Sequence, residues 1–416
     1  MITWSSRSDL LSCSSVEVCL TCTIMKRRHF IGSFAIGGLG TALAEGDPSV
    51  IKPSLATTPL CVMAARCDGF EAVWGVNRLS RGWLEWKLED GHGGLAKADA
   101  FGFTPQGKDV LRVRLEGLKT NAKGRVRSHT IAADDGEITI SPWKPFHILD
   151  PEAKKTRFVM WNDTHVHNES IQALHEVTPA ADFLVWNGDT CNDWTRDDQL
   201  TPTLLNPGGC DITNSRPLFI TWGNHDSRGA HAFRMPGVVA TPNGRPFYAF
   251  RSGPVAVICL HTGEDKPDDH PSFRGRVAFD ELRREQAEWL AEVIHQPDFR
   301  DAPYRVVFCH IPLRWIDERP QDYSKSGFDR HSGRSRSAWH ESLVEWKTQV
   351  ILSGHTHRSR WLPPTKAHPY GQLTGGGPKL HQATWTEGRA DGSRLHLKVN
   401  NLEGDILHDI QIRPLV

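Results

Sequence analysis

The sequence predicts an α/β protein in which a sandwich of mixed β-sheets is flanked by helices and preceded by a smaller, all-β domain. From residue 157 onwards, strand-like and helix-like segments alternate, which is typical of layered α/β folds. The region before residue 150 contains short alternating strands separated by turn residues and shows no helical pattern. The chain has 416 residues, more than one compact core usually accommodates.

Composition and charge exclude one class of partner and suggest a type of site. The formal net charge is zero and the pI is about 7.3, so bulk electrostatics predict no nucleic-acid or acidic-polymer partner. The chain contains 21 histidines, and several of them stand at the ends of predicted strands. That placement favours a metal site.

The N-terminal residues 1–44 resemble an export signal that begins at an internal methionine. Met25 is followed by a basic segment with Arg27 and Arg28, a mildly apolar, glycine-rich run and a small-x-small site ending at Ala44. The adjacent arginines resemble a twin-arginine signal, and the apolar run is too short to span a membrane. We expect translation to start at Met25 and cleavage after Ala44, giving a periplasmic or extracellular protein. A chance basic N-terminus is the alternative.

Residues 45–57 contain prolines and small polar residues and are predicted to form a linker. Residues 58–150 are predicted to form a β-sandwich of the fibronectin type III or immunoglobulin type. No catalytic constellation occurs in this part of the sequence. Its expected role is to pack against the next domain or to shape the rim of its site. The predicted strands are 72–76, 82–87, 110–115, 124–131 and 137–140.

Residues 151–416 are predicted to form the second domain. Its clearest helix is 280–295, because apolar side chains recur there at helical spacing on one face, together with Gln286. Asp280 is the predicted N-cap, and Pro297 lies just past the end. Further predicted elements are helices at 170–177 and 337–346, two strands within 248–260, and late strands at 394–399 and 406–412.

Five apolar runs in this domain each end in side chains that can bind metal ions. The carboxyl ends of buried strands are where α/β sheets place their sites, so we expect these side chains to meet. Carboxylate and imidazole ligands suit Zn, Mn and Fe, and the absence of thiolate ligands argues against a structural zinc site. The runs lead into Asp163–His165, Gly188–Asp189, Gly223–Asp226, Cys309–His310 and Gly354–His357.

The order and spacing of these five blocks, over residues 155–360, resemble the calcineurin-like metallophosphoesterase superfamily. A β-sandwich before such a domain is similar to the layout of purple-acid-phosphatase-like enzymes. The resemblance implies a four-layer metallophosphoesterase sandwich that holds two divalent or trivalent metal ions (Fe, Mn or Zn). The implied ligands are Asp163, His165 and His357 for one ion, Asn224, His310 and His355 for the other, and Asp189 as the bridge.

The same resemblance implies a metal-dependent phosphoric ester hydrolase. Its substrate would be a small phosphomonoester or phosphodiester, cleaved by attack of metal-bound hydroxide. A cyclic-nucleotide or glycerophosphodiester type of phosphodiesterase is the alternative among enzymes. A non-catalytic binding or scaffold protein that kept the fold is the alternative from another class. The presence of every expected ligand counts against that last alternative.

Four residues near the ligands are candidates for direct roles in catalysis or substrate binding. In the family, the position of His225 steadies the leaving or non-bridging oxygen, and Asp226 would hold its ring; a role that only supports Asn224 is the alternative. Arg228 is a weaker candidate for contact with the substrate phosphate, with a surface or ion-paired arginine as the alternative. His167 is weaker still, and an exposed histidine is the alternative.

Two positions depart from the purple acid phosphatase pattern. Those enzymes have a tyrosine ligand three residues after the bridging aspartate, where this chain has Asn192. They also have glycine where this chain has His165. The resemblance therefore implies a histidine-containing site without the iron–tyrosinate colour.

Neither the cysteines nor the glycine run at 375–377 has a single interpretation. Cys61 with Cys67, and Cys191 with Cys210, could form disulfides, but no CxxC pair follows residue 22, and free thiols are the alternative. The glycine run before Pro378 either passes close to the metals or forms a turn.

Overall fold

The computed structural model describes residues 54–99, 101–315 and 327–415, without the side chains of residues 327–332. The predicted export signal and most of the predicted linker lie outside the described residues. The described segments belong to one compact unit, residues 52–416. The α-helices, numbered in chain order, are α1 (Asn168–Val177), α2 (Leu200–Leu205), α3 (Met235–Val238), α4 (Phe279–Val293), α5 (Pro297–Arg300) and α6 (Gly327–Glu345).

The β-strands form three sheets within the described ranges. Numbered in chain order, they are β1 (Cys61–Met63), β2 (Phe70–Gly75), β3 (Ser80–Leu88), β4 (Gly93–Ala96), β5 (Gln106–Gly107), β6 (Val110–Leu115), β7 (Lys123–Ala132), β8 (Ile138–Ile140), β9 (Lys144–His147), β10 (Thr156–Trp161), β11 (Phe183–Asn187), β12 (Leu218–Thr221), β13 (Tyr248–Ser252), β14 (Val255–Leu260), β15 (Tyr304–Cys309), β16 (Val350–Ser353), β17 (Arg360–Leu362), β18 (Gly371–Thr374), β19 (Thr384–Ala390), β20 (Leu395–Asn401) and β21 (Ile406–Ile412).

The first and second sheets form the sandwich. The first sheet has the strand order β21-β20-β19-β10-β11-β12-β1-β2-β6, and β10, β11, β12 and β1 run parallel to one another. The second sheet has the order β13-β14-β15-β16-β18-β17, with β14, β15, β16 and β18 parallel. These parallel strands are buried along almost their whole length, because both faces of each sheet are covered.

Aromatic rings fill the space between the two sheets. Phe219 of the first sheet stacks on Phe250 of the second at a centroid distance of 4.0 Å, and Phe158 meets Phe308 edge to face at 5.8 Å. The outer face of the first sheet packs against α1 and α2, and that of the second sheet packs against α4 and α6. This order of helix, sheet, sheet and helix confirms the predicted four-layer α/β architecture.

The region 58–150 is all β, as predicted, but it does not close into a sandwich of its own. Its strands β1, β2 and β6 extend the first sheet, where Met63 pairs in parallel with Leu218. The third sheet contains β4-β3-β7-β8 with β5 and β9 paired to it, and its Leu84 and Val126 join the same apolar cluster as Phe158. The difference arises because β1, which pairs with β2 on one side, pairs with β12 on the other, so the sheet continues into the second domain.

Helix α4 confirms the predicted helix, with a different start. The helix begins at Phe279 with Ala278 as its N-cap, so the predicted N-cap role of Asp280 is wrong. Asp280 lies in the first turn and accepts hydrogen bonds from Arg283 and Arg334 instead. A charged pair therefore occupies the position for which the sequence suggested a cap.

The cysteines in the described ranges are free thiols, so neither candidate disulfide forms. The Cys61 thiol contacts the Leu205 carbonyl oxygen at 3.1 Å, and the Cys191 thiol contacts the His225 carbonyl oxygen at 3.7 Å. Burial raises the pKa of Cys61 to about 12, which keeps it a neutral thiol.

No helix in the described part of the chain combines the length and the apolar character that crossing a membrane requires.

Candidate metal centre

All seven predicted ligands lie just beyond the carboxyl ends of parallel strands, and the structure brings them to one edge of the sandwich. The ligands from the first sheet follow β10, β11 and β12, and those from the second sheet follow β15 and β16. The loops also hold one another: Asp163 N–H donates to the Gly188 carbonyl oxygen at 3.1 Å, and His165 N–H donates to the Asp189 carbonyl oxygen at 2.9 Å. The sheet thus positions ligands that are far apart in sequence.

Asp163, His165 and His357 form the first predicted ligand group. Their ligand atoms all lie within 4.8 Å of one another. His357 Nε2 is 3.3 Å from Asp163 Oδ1 and 3.4 Å from His165 Nε2. This group could hold one metal ion, as the sequence predicted.

Asp189, His310 and His355 form a second group within the same distance limit. His310 Nε2 is 3.1 Å from Asp189 Oδ2, and the Asn224 side-chain oxygen is 2.8 Å from His355 Nδ1. The same Oδ2 of Asp189 is 3.8 Å from His165 Nε2 in the first group. Asp189 therefore lies between the two groups, where a bridging ligand would have to be.

The ligands are held in an unusual backbone conformation. Positive φ is uncommon for residues other than glycine and costs energy unless the surroundings impose it. Nine non-glycine residues in the described part of the chain adopt it, and more than half of these are predicted ligands. They are Asp163 (φ 49°), His165 (45°), Asp189 (51°), His355 (68°) and His357 (53°). Their shared conformation indicates that loop geometry is constrained in order to aim these side chains.

Glycines leave the space that this arrangement needs. A Cβ atom on Gly223 would lie 2.2 Å from the backbone nitrogen and Oδ1 of Asp189, and one on Gly354 would lie 2.2 Å from Asp163 Oδ2. The run at 375–377 does approach the site, because a Cβ on Gly377 would lie 2.7 Å from His357 Cβ. These glycines allow the loops to close around the ligands.

The electrostatics of the site favour a positive charge close to the carboxylates of Asp163 and Asp189. Burial by itself would lower the pKa of His310, but the charges of Asp189 and Asp163 outweigh it and raise that pKa to about 10. Burial likewise opposes ionisation of Asp189, yet His310 holds the pKa of Asp189 well below its usual range. Burial, and then the charge of His310, lowers the pKa of His355 to about 4.

The donor set fits metal ions. His310 Nδ1 donates to the Asn187 carbonyl oxygen at 2.9 Å, which leaves Nε2 as the nitrogen facing Asp189. That buried Nε2 atom makes no hydrogen bond, although Asp189 Oδ2 lies within ion-pair distance of it. His165 is oriented in the same way, by a bond from Nδ1 to the Cys191 carbonyl oxygen at 3.0 Å. Ligating histidines in proteins are held by such carbonyl contacts, with the second nitrogen aimed at the metal.

Asp226 does not hold the ring of His225, which corrects the expectation from sequence. Its Oδ1 accepts from the backbone and hydroxyl of Thr190, at 3.0 and 2.5 Å, and its Oδ2 accepts from Gly223 N–H at 2.8 Å. Asp226 is fully buried, and burial with the nearby charge of Asp189 raises its pKa. Its role is to join the loop after β11 to the loop after β12.

His225 is held by other groups. Its Nδ1 contacts the Asn192 carbonyl oxygen and lies 3.4 Å from Asp193 Oδ1, and its backbone N–H donates to Asp189 Oδ1 at 2.9 Å. Because a carbonyl oxygen only accepts, Nδ1 carries a proton. The ring lies 4.9 Å from that of His165, beside the metal groups.

The two weaker substrate candidates have different positions. Arg228 lines an open cleft of about 660 Å³ over the metal groups, together with His225 and Asp189. His167 is exposed at the start of α1 and is not among the residues that line this cleft. The structure thus supports a place near substrate for Arg228 and not for His167.

Sequence reasoning missed several residues that line the cleft or support those that do. Asn162 donates to Asp163 Oδ2 at 2.6 Å, and only its adjacency to the motif could have indicated this. Glu264 and Asp265 follow the end of β14, as the ligands follow other strands, but no metal-type motif marks them. The remaining missed lining residues are Lys266, Trp315, Thr356 and Arg358.

Comparison with known proteins places the residues of this site within a known enzyme family. Residues 156–359 match the family described as calcineurin-like phosphoesterase. The human serine/threonine-protein phosphatase CPPED1 (Homo sapiens) is 25% identical over 259 residues, which cover 56% of this chain and 76% of that protein. The protein of the same name from Pongo abelii is 24% identical over the same shares.

A solved structure shares the fold. The purple acid phosphatase PPD1 from yellow lupin (Lupinus luteus) seeds superposes with a TM-score of 0.66 at 13% identity, covering 85% of this chain and 74% of that one. At this identity the likeness concerns the fold alone. The family match makes residues 156–359 a calcineurin-like metallophosphoesterase domain, and the protein is a metal-dependent phosphoester hydrolase.

Proposed function

We propose that the protein is a phosphomonoesterase that uses two metal ions, Fe, Mn or Zn, held by the two ligand groups. The observation that carries this proposal is the position of Asp189 between both groups at the floor of an open cleft. The name of the CPPED1 relatives, serine/threonine-protein phosphatase, supports a monoester substrate. The exposed Arg358 also lines the cleft and could meet a dianionic phosphate.

When bound, the two ions would supply Lewis acidity and lower the pKa of a water molecule. The residues of the chain supply orientation. Hydrogen bonds from the backbone of His355 and His225 fix the carboxylates of Asp163 and Asp189, so these ligands need little reorganisation. The carbonyl contacts of His310 and His165 fix which ring nitrogen faces the site.

In this proposal His225 and Arg228 act on the substrate. His225 lies beside the metal groups and outside both predicted ligand sets. In its protonated form, Nε2 can donate to the leaving or non-bridging oxygen while Nδ1 stays bound to the Asn192 carbonyl oxygen. Arg228 Nη1 lies 3.0 Å from His225 Nε2. A guanidinium at that position can meet phosphate oxygens that reach His225.

The test is a substrate panel with metal-reconstituted protein. We expect faster hydrolysis of p-nitrophenyl phosphate and of a phosphoserine peptide than of bis(p-nitrophenyl) phosphate or a cyclic nucleotide. Asp163→Asn should remove the activity, whereas Asp198→Asn, an exposed acid that pairs with Arg196, should leave it unchanged. A preference for diesters would replace the monoesterase proposal with a phosphodiesterase. A metal-loaded protein that is inert towards every ester would support a binding protein.

We propose further that the protein is exported through a twin-arginine route and cleaved after Ala44. The support is the signal-like sequence that starts at Met25 and contains the adjacent Arg27 and Arg28. N-terminal sequencing of the exported protein should give Glu45, and changing both arginines to lysine should strongly reduce export. Recovery of an uncut N-terminus from the cytoplasm would contradict the proposal.

A further inference from the structure

We infer that Glu264 and Asp265 are positioning residues that hold Arg228 against the ring of His225. This inference deepens the proposed function and rests on it for its kinetic consequences. It gives a role to the loop after β14, where the sequence shows no recognisable motif. It also replaces Asp226 as the source of orientation for His225.

The Glu264 side chain is fully buried next to Arg228, which lines the cleft, and both of its oxygens are occupied. Oε1 accepts from Arg228 Nε, and Oε2 accepts from the backbone N–H of Lys266 at 3.1 Å. Asp265, 4% exposed, accepts from Arg228 Nη2 at 3.0 Å. Burial and the contact with Asp265 raise the pKa of Glu264 to about 7, and the charges of Arg228 and Lys266 offset only part of this effect.

These contacts use two edges of the guanidinium and leave the third directed at His225. Glu264 binds Nε and Asp265 binds Nη2, while Nη1 lies 3.0 Å from His225 Nε2 and 3.3 Å from Nδ1. Nη1 is therefore nearly equidistant from both ring nitrogens and lies against the ring as a whole. With Nδ1 held by the Asn192 carbonyl oxygen, the ring is confined from two sides.

The loop that carries the two acids is itself anchored. Arg283 of α4 donates to the Thr262 carbonyl oxygen at 3.1 and 2.8 Å, and Gln286 exchanges two hydrogen bonds of 2.8 Å with the backbone of His261. Both side chains are buried on the inner face of α4. These contacts explain why a helix with an otherwise apolar inner face carries two polar residues there. The helix keeps Glu264 in place, and Glu264 keeps Arg228 in place.

The test uses Glu264→Gln, which removes the charge and keeps the shape. Misplacing a reacting group by about 1 Å can cost about 100-fold in rate, so we expect kcat to fall about 10- to 100-fold with both metals retained. Glu264→Asp should recover part of the loss because it restores the charge. The control is Glu285→Gln, since Glu285 is an exposed acid on α4 that pairs with Arg245. Its kcat should equal that of the wild type.

Combination with Arg228→Ala separates positioning from a general structural effect. If Glu264 acts through Arg228, adding Glu264→Gln to Arg228→Ala should cost less than about twofold in kcat, because the residue that Glu264 positions is already gone. Losses that multiply would overturn the inference. Unchanged kcat in Glu264→Gln would also overturn it. If that variant does not fold, Asp265→Asn, at the wall of the cleft, takes its place in the same cycle.

A structural measurement does not depend on turnover, so it tests the positioning role of Glu264 separately from the proposed function. Crystal structures of the wild type and Glu264→Gln should show that Arg228 leaves His225 in the variant and not in Glu285→Gln. If the wild type hydrolyses no ester, the proposed function fails, and the crystal structures still decide the positioning role. An Arg228 that stays against His225 in the variant refutes the inference, whatever the activity.

Discussion

Asp189→Ala should be the most damaging change to a single ligand, because Asp189 Oδ2 lies between the two groups. It is 3.1 Å from His310 Nε2 and 3.8 Å from His165 Nε2. On the bridging assignment, the substitution removes a carboxylate from both ions at once. It also frees the His225 backbone N–H, which donates to Asp189 Oδ1 at 2.9 Å. Asp163 of the first group also approaches the second, but less closely, with Oδ1 3.7 Å from His310 Nε2.

The size of the effect follows from binding linkage. An ion present at one hundred times its Kd stabilises the folded state by about 2.7 kcal/mol, so two ions contribute about 5 kcal/mol. In a chain of this size each kcal/mol shifts Tm by about 1.1 °C, so metal loading should raise the Tm of the wild type by about 6 °C. In Asp189→Ala we expect that gain to fall below about 3 °C, and the metal content to fall from about two ions to less than about one per chain.

The assay compares metal-free and metal-loaded samples of each protein by calorimetry, with elemental analysis of the loaded samples. Using the gain in Tm, and not Tm itself, removes the effect of Asp189→Ala on the metal-free protein, where His310 loses its main ionic partner. Asp198→Ala, an exposed acid 74% accessible at its side chain, is the matched control and should behave as the wild type does. Full occupancy by two ions in Asp189→Ala would refute the bridging assignment.

Three further predictions concern the same site. His225→Ala should retain both metals and lose about 10²–10⁴ in kcat, with a smaller loss for nitrophenyl esters than for alkyl esters; equal losses would argue for charge stabilisation without proton donation. Gly223→Ala should lower metal content sharply, because its Cβ would meet the Asp189 backbone nitrogen at 2.2 Å, whereas Gly237→Ala, where the same atom meets nothing within 4 Å, should not. Metal binding at pH 7 should release a proton from His310, because the pKa of His310 is about 10 in the metal-free protein, and metal affinity should therefore fall as pH falls. Calorimetry in buffers of different ionisation enthalpy measures this proton release. If no proton is released, the assignment of His310 as a ligand is wrong.

Much of the metal centre could be predicted from sequence because a local sequence pattern marks each predicted ligand. A buried parallel strand appears as a short apolar run, and its carboxyl end fixes where the following residues lie. Asp163 and His357 are 194 positions apart along the chain, yet each directly follows such a run, and the structure brings their ligand atoms to 3.3 Å. The order of the blocks added the superfamily resemblance.

Other features depend on contacts between distant segments, which no local pattern reveals. Whether β1, β2 and β6 close their own sandwich or extend the first sheet is decided by the pairing of Met63 with Leu218. Asp226 stands next to His225 in sequence, but the turn directs its carboxylate to Thr190 and Gly223. Glu264 reaches Arg228 only because α4 anchors its loop. The sequence by itself determined which residues can bind the metals, since ligand chemistry belongs to the side chain and strand ends are local. Only the tertiary structure decided what orients those residues, because orientation comes from partners that the fold supplies.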